Sequence, residues 1–403
     1  MTSNEELGMT DSTSRAPRRI SIFDTSLRDG EQAPRNAMSP RTKLDLALRI
    51  EALGVDAVEA GFPASSAKDV EATRLISEAL TTARVATLCR AVRSDVETAV
   101  EAAGTRNHQL QVIATASEIH LEHKRGITRR AALRELSEAI SLASSLGVPF
   151  ITLAMEDSSR GSLDLLRATV ETALEAGATQ VGVGDTMGCS TPGEFGALVA
   201  TVRGWAPASA SLTVHCHNDF GLALANTMAA IEAGADEVQV TLGGIGERAG
   251  NTALEEVVGL LAYKSEVYGA TTDVKTEGMY EVYTAIRAAI ALEEPRNKAL
   301  FGTYAFATAA GMHQQGMLQN PLTYEYVEPS RFGRETQLLV ARHSGRAVLR
   351  HVAVQSGLDL DDATVDLLYD KYVLGRADGE CVQLGVLREE ILSEMAGTTG
   401  LAR

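Results

Sequence analysis

Two histidines one residue apart, His215 and His217, end an apolar stretch in the run His215-Cys216-His217-Asn218-Asp219. Alternate residues of an extended strand share a face, so both imidazoles would point the same way. Far upstream, Arg28-Asp29-Gly30-Glu31-Gln32 follows the apolar run 20–23 and concentrates opposite charges in a glycine-containing turn. If the two strand ends meet in space, Asp29, His215 and His217 form a metal site of two imidazoles and one carboxylate. Such a set leaves open positions on an ion that prefers about six ligands. A 2-oxo acid can fill two of them with its carboxylate and keto oxygens, and the ion then polarises the keto carbon. His-x-His pairs also occur as structural or solvent-facing features. The Asn-Asp-Phe-Gly of 218–221 and the Arg-Asp of 28–29 turn the balance toward a site.

Neighbouring residues extend the constellation. Arg28 either makes an ordinary ion pair or stabilises negative charge developing on a keto oxygen. Glu156, in Ala154-Met155-Glu156-Asp157, serves either as a general acid/base or as a structural anchor. The glycine-rich segment 243–251 matches neither a dinucleotide fingerprint nor a Walker motif. Its glycines permit close approach of backbone to a ligand, or simply make a tight turn.

These residues need a frame. Short β-like runs cover 20–23, 57–62, 85–89, 110–115, 150–155, 180–184, 212–217 and 237–242. Between them lie apolar-periodic stretches that stop at a glycine: 40–53 at Gly54, 129–146 at Gly147, 163–176 at Gly177 and 222–233 at Gly234. Roughly eight such units in about 245 residues predict an α/β fold, a (β/α)8 TIM barrel over 20–268. A doubly wound open sheet is the alternative, but it usually has fewer strands. The barrel gathers strand C-terminal ends on one face. That face would carry Arg28, Asp29, Glu59, Arg90, His120, Glu156, Asp185, Thr186, His215, His217 and Asn251. After about residue 268 the rhythm changes, and 269–403 reads as small, mostly helical C-terminal subdomains. Residues 1–19 are polar, without a hydrophobic signal core, and read as a disordered leader.

Bulk properties narrow the function. The formal net charge is −16 over 403 residues, which disfavours nucleic acid or a membrane surface as partner. No apolar run reaches about 18 residues, so no membrane span is expected. The four cysteines form no CxxC pair, which suits a reduced, cytoplasmic protein.

Three long motifs together carry a resemblance. They are Asp-Thr-Ser-Leu-Arg-Asp-Gly-Glu-Gln (24–32), His-Cys-His-Asn-Asp-Phe-Gly-Leu-Ala (215–223) and Gly-Ile-Gly-Glu-Arg-Ala-Gly-Asn-Thr-Ala-Leu-Glu-Glu (244–256). Over about residues 18–355 the chain resembles the 2-isopropylmalate synthase / homocitrate synthase family. The resemblance implies a TIM barrel with C-terminal subdomains and a divalent metal (Mg, Mn, Zn or Co). It also implies a Claisen-type condensation of acetyl-CoA with a 2-oxo acid, giving a malate-type product and free CoA. Asp29, His215 and His217 are similar to the family's metal ligands, with Asn251 at or near the ion. Arg28 resembles the arginine that polarises the keto oxygen, Thr186 the threonine that holds the oxo-acid carboxylate, and Glu156 the catalytic glutamate. His313, in Gly311-Met312-His313-Gln314-Gln315-Gly316, and Tyr324 resemble an acid/base pair that reaches the active site of a neighbouring subunit. A homodimer with shared sites is thereby implied, and Gln32 and His120 join the substrate-binding candidates. The basic stretch 342–346 is either a contact for CoA phosphates or a solvated face.

Departures from the family pattern bear on the substrate. Lysine-pathway homocitrate synthases resemble this chain but carry His where it has Val92 and Arg where it has Thr152, which weakens the case for 2-oxoglutarate. Ala154 and Gly184 replace the Ser and Pro usual in isopropylmalate synthases. In Glu118-Ile119-His120-Leu121-Glu122-His123-Lys124-Arg125, Arg125 is an added cation. It would suit an anionic side chain such as a phosphonate, as in phosphonomethylmalate synthesis, unless it is a surface residue. The chain ends at Arg403, short of the long regulatory domain of leucine-inhibited isopropylmalate synthases, so leucine feedback is not expected. The competing classes are a hydroxymethylglutaryl-CoA-type lyase on the same barrel and a non-catalytic barrel. The second would need broken ligands, and all three are present.

Overall fold

The structure, a computed structural model, describes residues 16–399. Eight parallel strands close a barrel in sequence order: β1 Ser21–Asp24, β2 Ala57–Gly61, β3 Arg84–Arg90, β4 His108–Thr115, β5 Phe150–Glu156, β6 Gln180–Asp185, β7 Ser211–Cys216 and β8 Glu237–Val240. β8 pairs with β1 to complete the ring, with Asp24 opposite Val240. Strand side chains are buried on both faces, because inward residues fill the barrel and outward ones meet helices. The helices that cover it are α1 Pro40–Ala52, α2 Ala67–Ala79, α3 Arg93–Ala103, α4 Arg129–Ser145, α5 Leu163–Ala176, α6 Pro192–Trp205, α7 Ala223–Glu232 and α8 Leu254–Tyr268.

Local chemistry sets their limits. Ser39, Ser66, Thr128 and Ser162 each accept a backbone N–H of the first turn, and Thr191 with Glu194 forms a capping box on α6. Gly177 ends α5 at φ 109°, a left-handed conformation that a β-carbon would penalise. At the opening of the barrel, Ser26 ties β1 to β8. Its N–H and hydroxyl donate to Asp24, and its oxygen accepts Leu242 N–H at 2.8 Å.

Two expected boundaries move. A ninth helix, α9 (Met279–Ile290), packs on α1, so the first compact unit ends at Leu292 and the second begins at Glu293, not near 268. Of the expected leader 1–19, residues 1–15 lie outside the described residues. Arg18–Arg19 is instead a short strand parallel to Ala270–Thr271, and Arg18 donates to the carbonyls of Ile231 and Ala235. Its charge is drawn in by carbonyls and by Asp236, which a polarity pattern does not register.

The second unit holds a three-stranded sheet of β9 Ala307–Thr308, β10 Gln337–Ala341 and β11 Cys381–Gln383, with β10 in the middle. Its helices are α10 Gly311–Gln319, α11 Arg346–Gln355, α12 Asp362–Tyr369 and α13 Leu384–Thr399. Val340, Val348, Leu349, Val352, Leu368 and Val373 form its core. The sheet is an addition to the helical subdomains expected, and its strands are too short to leave a period-two signal. Among the described residues, no helix is long and apolar enough to cross a membrane.

Burial pushes the Asp24 carboxyl up to about 7, against the Ser26 hydrogen bonds, and Glu59 and Glu255 add to the rise. A carboxyl raised in the fold contributes stability below its ordinary range and loses it as pH rises through the folded value. Asp24→Asn should remove that slope, worth at most about 1.4 kcal/mol per pH unit. Thermal midpoints at pH 5 and pH 8 should converge in the variant, and an unchanged pH dependence would refute the assignment.

Candidate metal centre and active site

The C-terminal ends of the barrel strands open into a cavity of about 270 Å³. Its lining combines polar groups, among them Arg28, Asp29, Thr186, His215 and His217, with apolar Phe62, Leu88, Ile113, Ala154 and Val183. Each polar group arrives for a local reason. His215 is on β7 and His217 just beyond it, so the two-residue spacing puts both imidazoles inside, Nε2 to Nε2 at 3.1 Å. Asp29 opens a single helical turn, Asp29–Gln32, directly after β1. Its Oδ2 lies 3.6 Å from His215 Nε2. The ligand atoms of Asp29, His215 and His217 all fall within 4.8 Å of one another.

Arg28 is buried between two carboxylates. Nη1 donates to Asp29 Oδ2 and Nε to Glu59 Oε2, both at 2.7 Å. Glu59 also accepts Thr25 Oγ1 at 2.5 Å and Gln111 Nε2 at 2.6 Å. Among the described residues, Arg28 Nη2 has no protein acceptor, and this edge is free for a ligand oxygen. Burial alone would raise the Asp29 carboxyl. Arg28, then His215 and His217, and the Asn251 amide together hold it well below the usual range. Burial likewise pushes His215 down to about 3, with Asp29 pulling the other way, and lowers His217. Asp29 is thus a carboxylate and both imidazoles are neutral at pH 7, the protonation states that bind metal.

The donor set fits a divalent cation. Two neutral imidazole nitrogens 3.1 Å apart are at the spacing that ligands about 2.1 Å from one ion and roughly at right angles adopt. One guanidinium faces two carboxylates, Asp29 and Glu59, which leaves a negative excess for a cation to offset. Asn251 Nδ2 donates to Asp29 Oδ1 at 2.7 Å, while its buried Oδ1 has no partner. Gly246 keeps this corner open: a β-carbon there would stand 2.1 Å from Asn251 Nδ2 and 3.0 Å from Asp29 Oδ1.

Comparison with known proteins follows this geometry. Residues 19–286 match the HMGL-like family, and residues 300–374 the homocitrate synthase post-HMGL domain-like family. A 2-isopropylmalate synthase of Sediminispirochaeta smaragdinae is 39% identical over 85% of this chain and 69% of its own. A putative (R)-citramalate synthase of Methanopyrus kandleri is 39% identical over 86% and 67%.

The chain belongs to the 2-isopropylmalate synthase / homocitrate synthase family.

Among solved structures, an HMG-CoA lyase of Bacillus subtilis superposes with a TM-score of 0.60 at 20% identity, over 68% of this chain and 95% of that one. A hydroxymethylglutaryl-CoA lyase of Pseudomonas aeruginosa gives 0.60 at 21%, over 72% and 97%. At these identities the likeness is one of fold alone.

Within this family member, the remaining candidates divide. Gln32 lines the cavity and lies 3.5 Å from Arg28 Nη1. Thr186 Oγ1 accepts Asp157 N–H at 2.9 Å, which leaves its own proton to donate. Glu156 lines the cavity and is held by Lys124 Nζ at 2.5 Å. His120, on the π-helical turn His120–Arg125, is outside the lining, 3.6 Å from Glu156 and from Asp157. Arg125 does not line the cavity either: it donates to Glu135 of α4 at 2.6 Å. Arg90 pairs with Asp95. Asp185 accepts the N–H groups of Cys189 and Ser190, so it shapes its loop. His313 and Tyr324 belong to the second unit, where their rings stack at 4.2 Å between centroids.

Sequence reading missed Arg248, Gln111 and Gln239. Arg248 lines the cavity and clamps Asp219 at 2.8 and 2.9 Å and the Thr186 carbonyl at 2.6 Å. Gln239 donates to Gln111 at 2.6 Å. Both glutamines stand at alternate, inward positions of their strands, and polar residues there were the available signal. His217→Ala should lose tight Mn²⁺ binding in calorimetry while the fold persists by circular dichroism. Wild-type affinity in that variant would sink the site.

Proposed function

We propose that this protein condenses acetyl-CoA with a 2-oxo acid bearing a short aliphatic side chain, releasing CoA and a 2-substituted malate. The observation that carries the substrate reading is the mixed lining of the cavity, in which Arg28, Asp29, Thr186 and the histidines stand with apolar Leu88, Ile113 and Ala154. An oxo acid needs both kinds of partner: polar groups for its carboxylate and keto oxygens, and apolar surface for its hydrocarbon. The cation expected for an anionic side chain, Arg125, is engaged elsewhere, by Glu135. This weighs against phosphonopyruvate and 2-oxoglutarate. Of the departures from the family pattern, Ala154 and Gly184 line the cavity and enlarge it, whereas Thr152 is buried deeper on Gln180.

Asp29, His215 and His217, with Asn251 beside them, would hold a divalent ion, which when bound supplies Lewis acidity to the oxygens of the oxo acid. Arg28, which lines the cavity and is held by Glu59, stabilises charge developing on the keto oxygen. Thr186 donates its hydroxyl to the carboxylate. His313 removes a proton from the acetyl methyl, with Tyr324 as its partner, and Glu156 assists at the mouth. We assign the His313–Tyr324 pair to the barrel mouth of a second copy of the chain, which makes the working form a homodimer. Hydrolysis of the resulting thioester makes the sequence irreversible.

Free-thiol release from acetyl-CoA with Mg²⁺ or Mn²⁺ tests the reading across pyruvate, 2-oxoisovalerate, oxaloacetate, 2-oxoglutarate and phosphonopyruvate. Turnover is expected with the aliphatic acids and should keep the same preference in Arg125→Ala. Preference for an anionic acid, lost in that variant, would restore a role for Arg125.

His313→Ala should lower thiol release by about 10²–10⁴-fold, the span of a general base, and leave Mn²⁺ affinity intact. Loss of Mn²⁺ binding instead would contradict a separate catalytic role.

A further inference from the structure

Lys43 is 2% exposed, and no step above uses it. Its Nζ donates to Glu31 Oε2 at 2.5 Å and to Asp69 Oδ1 at 3.1 Å. A buried ammonium is costly unless paired, and a buried ion pair is weak evidence for stability. What this pair does is clearer from where Glu31 sits.

Glu31 belongs to the turn Asp29–Gln32, whose other long side chains, Asp29 and Gln32, line the cavity together with Arg28 just before it. Four residues without a side-chain cap do not sustain a helix by themselves. Neighbouring loop contacts help: Asn36 Nδ2 donates to the Gly30 carbonyl and Met38 N–H to Glu31 Oε1, both at 2.8 Å. Among the described residues, Lys43 is the one that connects the turn by a charge to a long helix, the thirteen-residue α1 that begins at a Ser39 cap. β2 leaves space for the cluster. A β-carbon on Gly61 would stand 2.7 Å from Asp69 Oδ1 and 3.2 Å from Lys43 Nζ.

We propose that Lys43 is a positioning residue: through Glu31 it fixes the turn that presents Asp29 to the metal and Arg28 to the substrate. The inference rests on the metal site assigned above, not on the identity of the oxo acid.

Mn²⁺ titration of the full chain by calorimetry, below the unfolding temperature of each variant, tests it without substrate. Lys43→Met should raise the Mn²⁺ Kd by roughly tenfold or more, the lower end of what supporting groups of metal ligands show. Asp69→Asn removes the other arm of the cluster and should lower the thermal midpoint with no change in Kd. Retained Mn²⁺ affinity in folded Lys43→Met, or equal weakening in both variants, overturns the proposal. If Lys43→Met does not fold, Glu31→Gln is read in its place against the same two outcomes. Absence of Mn²⁺ binding in the wild type would instead refute the metal site, and absence of thiol release the substrate reading.

Discussion

The buried guanidinium of Arg28, held between Asp29 and Glu59, is the interaction on which the site depends. It joins the ends of β1 and β2 and continues through Gln111 to Gln239, so four strands of the barrel share one polar network. Each charge in it has left water, a cost that only the others offset. Two carboxylates on one guanidinium leave the cluster electron-rich, and two neutral imidazoles add lone pairs without adding charge. A dication is the species that completes this balance.

The same network adjoins a cavity lined by both polar and apolar side chains. Charges that would contest the cation are tied up: Asp219 by Arg248, Glu156 by Lys124, Asp95 by Arg90. Leu88, Ile113 and Ala154 supply apolar surface to the lining. On the proposed reading an acceptor acid is gripped by its oxygens and selected by its hydrocarbon, with the small residues at 154 and 184 leaving it room. Arg248, reaching both Asp219 and the Thr186 carbonyl, holds the loops after β6, β7 and β8 in one arrangement around that grip.

Much of the barrel was legible because its physics is local. Strand runs alternate with helix patterns that stop at glycine, and 163–176 matches α5 residue for residue. The three groups that the structure brings together as a candidate metal set were legible for a related reason. His-x-His on a strand and Asp after a strand are short-range patterns whose facing is set by the pleat. The added strands of the second unit, and α9 as part of the first, were not, since pairing and packing partners lie far off in sequence. Arg125 shows the limit most plainly. Its type and neighbours suited an anion pocket, but a glutamate ten residues on, in α4, takes its charge.

By itself, then, the amino-acid order determined the fold class, the family and the identity of the chemical groups at the strand ends. Residue type, period and motif are properties of the chain alone. Tertiary structure decided which of those groups face one cavity, which are spent on each other, and what stands behind them. Glu59 behind Arg28, Asn251 against Asp29 and Lys43 behind Glu31 are contacts between distant elements. Whether a charge is free or paired depends on distances that only the closed barrel sets.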